Sequence, residues 1–257
     1  MEAKDYAAKL RQAQATKTPI SPLRDDIGEH NEELAYAIQQ VNTNHKLVDG
    51  ARIVGKKIGL TSIKVQEQFG ISTPDFGILF DDMEVLNGLS LPISEVMQPK
   101  IEGELAFVLG GSLDNDKLTI VDIINSIDYV LPSLEIVGSR IENWNISIAD
   151  TVADNASASH YVLGHRPKML DNIDIVNCKM NMTINGELKS SGSGKDCLGS
   201  PLNAVLWLAR KMQAVGQPLQ AGELILSGSL GPMVVVNAGD HVEAEFEGLG
   251  SVSISFT

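Results

Sequence analysis

The spacing of hydrophobic positions changes near residue 50. Residues 2–15 are rich in Ala, Lys, Gln and Leu, and apolar residues in 31–44 recur at i, i+1, i+4 and i+7, which predicts two helices. Pro19 and Pro22 separate them, because proline has no backbone N–H to donate within a helix. We therefore predict a small helical N-terminal segment over residues 1–50.

From residue 51 onward, short runs of β-branched and alternating residues predict a mostly β domain over 51–257. Together with the helical segment, this gives an α+β fold. The predicted elements of this domain are strands within 51–62, 100–109 and 130–139, helices over 63–70, 120–127 and 200–216, a loop at 72–83, and a hairpin at Asn185-Gly186.

Composition narrows the class of protein. The chain has 257 residues, 43% of them hydrophobic and 21% charged, which is typical of a soluble globular protein. Its net charge of −13 argues against nucleic acid and anionic membranes as partners, since both bind clustered Lys and Arg. Neither a signal peptide nor a membrane-spanning apolar run is recognisable, so we expect a cytoplasmic enzyme.

Two acidic residues stand in the most regular predicted strand, KIEGELAFVLG at 100–110. Side chains alternate along a strand, so Glu102 and Glu104 point to the same face, roughly 6.5 to 7 Å apart. Two glutamates can close around one cation at that spacing, and would repel each other without it. The alternative is a half-exposed strand with a solvated acidic edge.

A third acid, Glu135, is alone in the apolar run VLPSLEIVG. A buried charge is costly unless it is paired or bound to a metal, although Glu135 could also lie on a solvent face with Ser133. Three carboxylates without His or Cys suit Mg²⁺ or Mn²⁺ better than zinc. Such a site leaves ligand positions open for a 2-oxo acid, whose keto and carboxylate oxygens can chelate the ion.

Several segments, in order along the chain, resemble the fumarylacetoacetate hydrolase superfamily, and specifically its branch of 2-keto-4-pentenoate hydratases and 4-oxalocrotonate decarboxylases. This resemblance implies a β-roll catalytic domain and a homo-oligomer. The segments are KKIGLTS (56–62), PDFGILF (74–80), KIEGELAFVLG (100–110), LPSLEIVGSRIENW (131–144), DTVADNAS (150–157), CLGSPLNAVLWLAR (197–210) and LSGSLGPMVVVNAGD (226–240).

The resemblance also implies roles for single residues. It assigns the metal ligands to Glu102, Glu104 and Glu135, the same acids that strand alternation and ligand chemistry single out. It matches the family's lysine to Lys57 and its loop aspartate to Asp75, which we expect to handle protons.

These two residues need pKa values near neutrality for that role. We expect the charge of a bound metal to lower the pKa of Lys57 and desolvation in a closing loop to raise that of Asp75. The alternatives are a surface lysine beside Lys56 and a turn residue after Pro74.

Substrate contacts are expected from two further segments. Ser157, in DTVADNAS, is placed to donate a hydrogen bond to a substrate carboxylate, and backbone amides at Gly228 and Ser229 to line the same pocket. Ordinary turn roles are the alternative for each. His30 and Glu33 have the spacing of a hydrolase water-activating pair, but they lead directly into a helix, and we interpret them as an exposed helix start.

The resemblance thus predicts a lyase that hydrates a 2-hydroxy-2,4-dienoate to a 4-hydroxy-2-oxo acid in aromatic-compound catabolism, in association with another enzyme of the pathway. A decarboxylase of 2-oxo-3-enedioates is the first alternative, because both reactions use the same metal as electron sink. A non-catalytic protein that binds 2-oxo acids or metal, or an assembly partner, is the second.

Overall fold

The computed structural model describes residues 1–62, 66 and 73–257, so the helix predicted over 63–70 lies outside the described residues except for Gln66. Both predicted N-terminal helices are confirmed, with a short third helix between them. Among the described residues, no helix is both long and apolar enough to cross a bilayer. The helices are α1 (Ala3–Thr16), α2 (Arg24–Ile27), α3 (Glu32–Val48), α4 (Ile120–Ser126), α5 (Ile148–Ala153) and α6 (Pro201–Ala214).

Local signals at the helix ends behave as the sequence predicts. Ser200 caps α6 and Pro201 begins it, because proline's missing N–H has no partner in the first turn anyway. Asn31 caps α3, and His30 and Glu33 are exposed beside it, so their interpretation as a helix start is confirmed.

The strands of the described residues lie in two sheets. The larger has the order β2-β1-β9-β4-β5-β6, with β10 beside β4, and the smaller has the order β3-β12-β11-β7-β8. Neighbouring strands are antiparallel except for the pairs β1/β9 and β3/β12, which confirms the predicted α+β fold with mixed sheets. The strands are β1 (Ile53–Gly59), β2 (Asp75–Phe80), β3 (Ser90–Leu91), β4 (Lys100–Leu109), β5 (Ile127–Val137), β6 (Ala158–Leu163), β7 (Lys179–Ile184), β8 (Glu187–Ser193), β9 (Leu224–Ser229), β10 (Val234–Val235), β11 (His241–Phe246) and β12 (Gly250–Phe256).

The loop predicted at 72–83 is wrong over residues 75–80. Residues 75–80 form strand β2, and every one of them is buried. A strand buried on both faces has no alternation of polar and apolar residues, so the turn signals of Pro74 and Gly77 dominated the sequence pattern. The consequence is that Asp75 begins a strand rather than standing in an open loop.

Two hydrophobic clusters hold these elements together. The larger joins inward-facing residues of both sheets to α6. The smaller packs α1, α2 and α3 against α5 and Ile141. Helix α5 leads directly into residues 155–157, so the N-terminal helices support the segment that carries Ser157.

Close contact between backbones fixes the pairing of β1 with β9. A Cβ atom on Gly55 would overlap the carbonyl oxygen of Leu224. We therefore expect Gly55→Ala to lower the free energy of unfolding by about 1 to 3 kcal/mol, measured by urea denaturation. Gly111→Ala is the control, because a Cβ there meets only ordinary contacts with Ser126. Equal stability of the two variants would contradict the steric explanation.

Candidate active site

Three glutamates converge on one face of the larger sheet. In the antiparallel pair β4/β5, Glu102 stands opposite Glu135, while Glu104 stands opposite Ser133. Directly opposed residues share a face, so the predicted alternation is confirmed. Glu104 is 1% exposed and Glu135 is fully buried, which rules out the solvent-facing alternatives for both.

Burial and mutual repulsion raise the pKa values of these acids. Burial, followed by the charges of Glu135 and Glu102, holds the pKa of Glu104 well above its usual value. Burial raises the pKa of Glu135 to about 7, although Lys57 opposes the shift. Burial also raises the pKa of Glu102, again against Lys57. The cluster therefore favours any cation that can take the place of protons.

Lys57 reaches this cluster from β1. Its Nζ lies 3.2 Å from Oε2 of Glu135 and donates a hydrogen bond of 3.0 Å to the carbonyl oxygen of Ala156. Lys57 is only 4% exposed, so the surface-lysine alternative is wrong. The preceding Lys56 points to the opposite face of the sheet and pairs with Glu223 at 2.7 Å.

The protonation of Lys57 differs from the sequence expectation. Burial alone would lower its pKa, but Glu135, Asp75, Glu102 and Glu104 together raise it above the usual value. The expected lowering depended on the positive charge of a bound metal. Without that charge, the four surrounding carboxylates decide the direction, and Lys57 is an ammonium ion.

Asp75 occupies the first position of β2, opposite Gly59. It is 2% exposed, and its Oδ1 has no hydrogen-bond partner. Burial raises the pKa of Asp75, while Lys57 and the Thr151 hydroxyl lower it, so the predicted upward direction is confirmed. The alternative of a plain turn residue is wrong, although its proposed role in proton transfer stays a prediction.

The three predicted substrate contacts lie in different environments. Ser157 is buried and its hydroxyl has no partner. The amide of Gly228 already donates to Oε2 of Glu104 at 2.8 Å. The hydroxyl of Ser229 lies within hydrogen-bond reach of two acceptors, the carbonyl oxygen of Gly231 and the carboxylate of Glu102, and donation to Glu102 lowers the pKa of that acid. Gly228 and Ser229 are therefore neighbours of the glutamates, and Ser157 offers an unpaired donor.

The donor set fits a hard divalent ion. Among the described residues, few buried side-chain oxygens lack a hydrogen-bond partner, and they include Oε1 of Glu135 and Oδ1 of Asp75, while Oε2 of Glu135 is paired with Lys57. Unpaired buried carboxylates are costly, and oxygen-preferring cations such as Mg²⁺ and Mn²⁺ satisfy them. Yet no three His, Cys, Asp or Glu side chains of the described chain are gathered as a formed ligand set, and the Lys57 ammonium group lies beside Glu135. The carboxylates must therefore adjust when an ion enters.

Sequence reasoning missed three residues around β2. Tyr36 stacks on Phe76 with ring centroids 4.6 Å apart, and its buried hydroxyl has no partner. Gln39 and Asn155 donate to backbone carbonyls of β2. Only Asn155 had a signal, because asparagine tolerates left-handed backbone, and this signal does not point to a contact with β2.

Comparison with known proteins agrees with this architecture. The sequence model described as "Fumarylacetoacetate (FAA) hydrolase C-terminal" matches residues 70–256. The chain therefore belongs to the fumarylacetoacetate hydrolase family, as predicted.

Comparison with curated relatives narrows the class of enzyme within this family. The chain is 51% identical to the 2-keto-4-pentenoate hydratase of Paraburkholderia xenovorans (strain LB400) over 252 residues, which cover 98% of this chain and 94% of that protein. It is 41% identical to the 2-hydroxyhexa-2,4-dienoate hydratase of Comamonas testosteroni over 251 residues, 97% and 95% of the two chains. Both names describe hydro-lyases, and the prediction of a lyase is confirmed.

A solved structure is similar over nearly the whole chain. It is 4-oxalocrotonate decarboxylase from Pseudomonas putida G7, complexed with magnesium and adipate. The TM-score is 0.95 with 34% sequence identity, and the alignment covers 99% of this chain and 97% of that one. The fold of the two proteins is therefore the same.

The raised pKa of Glu104 has a consequence for stability. The folded state holds a proton on this group at pH values where the unfolded state has lost it, so metal-free stability falls as the pH rises above the unfolded pKa. We expect Glu104→Gln to stabilise the metal-free protein, and more at pH 8 than at pH 5.5. Urea denaturation in the presence of a chelator measures this.

The exposed Glu243 provides the control for this experiment, as Glu243→Gln removes a charge without relieving burial. A Glu104→Gln variant that is equally or less stable than the native chain at pH 8 would contradict the stated cost of the buried charge.

Proposed function

We propose that this protein is a divalent-metal-dependent hydratase that converts a 2-hydroxy-2,4-dienoate into a 4-hydroxy-2-oxo acid. The single observation that carries the proposal is the position of Glu102, Glu104 and Glu135 on one face of the paired strands β4 and β5, with Lys57 Nζ 3.2 Å from Glu135. The 51% identity to a 2-keto-4-pentenoate hydratase over 98% of the chain supports the choice of substrate class.

The metal site comprises the three glutamates. Glu102, Glu104 and Glu135 would hold Mg²⁺ or Mn²⁺, and the magnesium complex of the decarboxylase with the same fold supports a divalent ion. When bound, such an ion polarises the C2 oxygen of the substrate and, by conjugation, makes C4 electrophilic.

Lys57 and Asp75 move the protons in two stages. In the first, a proton leaves the 2-hydroxyl group and another is delivered to C5, which gives the 2-oxo-3-enoate. In the second, Asp75 Oδ1 takes a proton from water as the water oxygen bonds to C4, and Lys57 Nζ gives a proton to C3. The unpaired Oδ1 and raised pKa of Asp75 support its role as acceptor, and the buried position of Lys57, 3.2 Å from Glu135, supports its role at the same site.

Ser157 orients the substrate in this proposal. Its buried, unpaired hydroxyl is available to donate to the substrate carboxylate. Gly228 and Ser229 form the wall beside the glutamates. A side chain at position 228 would overlap Thr61, so glycine keeps this wall close to Glu104.

Decarboxylation of a 2-oxo-3-enedioate is the second candidate. The structural match to 4-oxalocrotonate decarboxylase favours it, and the same electron sink would serve. The lower identity of 34%, against 51% for the hydratase, places it second. We further propose a cytoplasmic homo-oligomer that acts in meta-cleavage catabolism of aromatic compounds beside another enzyme of that pathway.

The first test is metal dependence. Loss of the diene absorbance of 2-hydroxypenta-2,4-dienoate should require Mg²⁺ or Mn²⁺ and stop in a chelator. Glu104→Gln should lower kcat/KM by at least about 100-fold, because the ligand set loses a charge. Glu243→Gln, on an exposed strand position, should retain the native rate. Full activity in chelator would contradict the metal-dependent proposal.

The second test concerns the role of Asp75 in proton transfer. We expect Asp75→Asn to lower kcat by about 100- to 10,000-fold with metal affinity retained, since it removes a proton acceptor and no ligand.

A third test distinguishes the two reactions. Water addition is measured as formation of the 4-hydroxy-2-oxo product, and decarboxylation as CO₂ release from 2-oxo-3-hexenedioate. Faster CO₂ release than hydration would favour the second candidate, and neither reaction would favour a non-catalytic binder.

A further inference from the structure

Three consecutive residues between α5 and β6 have left-handed backbone. The φ angles are 57° at Asn155, 49° at Ala156 and 58° at Ser157. Asparagine tolerates this conformation, but alanine and serine adopt it at a cost of about 1 kcal/mol or more each. Such a turn persists only where its surroundings hold it in place.

This turn is in direct contact with the proposed active site. The carbonyl oxygen of Ala156 accepts the hydrogen bond from Lys57 Nζ at 3.0 Å, and the next residue, Ser157, has a buried hydroxyl without a hydrogen-bond partner. The carbonyl oxygen of Ser157 in turn accepts from the amide of Gly138 at 2.9 Å. The position of Lys57 therefore depends on the conformation of residues 155–157.

The side chain of Asn155 ties this turn to β2. Its Oδ1 accepts from the amide of Ile78 at 2.8 Å, and its Nδ2 donates to the carbonyl oxygen of Ile78 at 2.9 Å. Among the described strands, β2 is at the edge of the sheet and pairs with β1 alone, so within this part of the chain the Ile78 groups would otherwise be unpaired. The Asn155 side chain therefore makes the two backbone hydrogen bonds that a neighbouring strand would otherwise make with Ile78.

The fit between turn and strand is close. A Cβ atom on Gly77 would overlap the carbonyl oxygen of Asn155. Gly77 stands two residues from Asp75 on the same face of β2 and opposite Lys57 in β1. A shift of the turn therefore moves the strand that carries Asp75 as well as the hydrogen-bond acceptor of Lys57.

We propose that Asn155 is a positioning residue that couples the two proton-transfer groups. Its amide joins the strand of Asp75 to the turn whose carbonyl group holds Lys57, and so fixes the distance between Asp75 Oδ1 and Lys57 Nζ. The inference rests on the proposed function, because it assigns proton transfer to these two residues. Asn155 itself acts only through them.

Gln39 offers a matched control on the same strand edge. It is buried, and its Nε2 donates to the carbonyl oxygens of Phe76 at 2.9 Å and Val152 at 3.1 Å. It therefore also makes two buried hydrogen bonds to β2 and a neighbouring element. It joins the strand to α5, however, and not to the turn that holds Lys57.

The experiment compares Asn155→Gly with Gln39→Ala in the full chain loaded with Mn²⁺. Glycine keeps the left-handed backbone and removes only the amide. We expect Asn155→Gly to lower kcat for diene hydration by about 10- to 100-fold with KM changed by less than about 3-fold, because small misplacements of reacting groups affect mainly the chemical step. Gln39→Ala should keep kcat within about 3-fold of the native value, even if its melting temperature falls as much as that of Asn155→Gly.

Asn155→Asp keeps the acceptor for the Ile78 amide and should recover part of the lost kcat. Equal kcat in Asn155→Gly and Gln39→Ala, measured per folded molecule, would overturn the proposal.

Hydrogen exchange gives a readout that does not depend on turnover. In Asn155→Gly, amides of both 76–80 and 156–158 should exchange faster, whereas in Gln39→Ala residues 156–158 should exchange at the native rate. Native exchange at 156–158 in Asn155→Gly would overturn the coupling. If the native chain does not hydrate the diene, the proposed function fails, while the exchange data still decide whether Asn155 couples strand and turn.

Discussion

The packing of four carboxylates, three buried and that of Glu102 half-buried, around one ammonium group is the constraint on which this structure depends. Glu102, Glu104, Glu135 and Asp75 all contribute to the raised pKa of Lys57, and one lysine cannot neutralise four acids. The excess negative charge is kept out of water by strands from both halves of the chain, because β1, β4 and β5 all contribute to one sheet. Folding therefore tolerates an arrangement that only a multivalent cation fully satisfies.

The parts of this site that the sequence could predict are those that follow from local geometry. Alternation along a strand places Glu102 and Glu104 on one face whatever else the chain does. Glu135 was recognisable because an acid in an apolar run needs a partner. The opposition of Glu102 and Glu135 required strand pairing, which no local pattern specifies, and the family resemblance provided that link.

The parts that could not be predicted depend on residues distant in sequence. Strand β2 was interpreted as a loop, since its burial comes from α3 and from the turn at 155–157. In the metal-free chain the pKa of Lys57 is raised, because it depends on acids from three other strands, and its lowering by a bound metal stays a prediction. Side-chain amides that satisfy an edge strand, such as those of Gln39 and Asn155, leave no recognisable spacing.

The adjacent Lys56 and Lys57 raise a question of strand alignment. A shift of β1 by one residue would turn Lys56 toward the face that holds Glu135 and Lys57 toward the face that holds Glu223, so a lysine would still face an acid on each side of the sheet. Gly55 favours the native alignment over the shifted one, since any residue with a side chain in its place would collide with the backbone at Leu224. A glycine without functional groups of its own therefore decides which lysine lies beside the three glutamates.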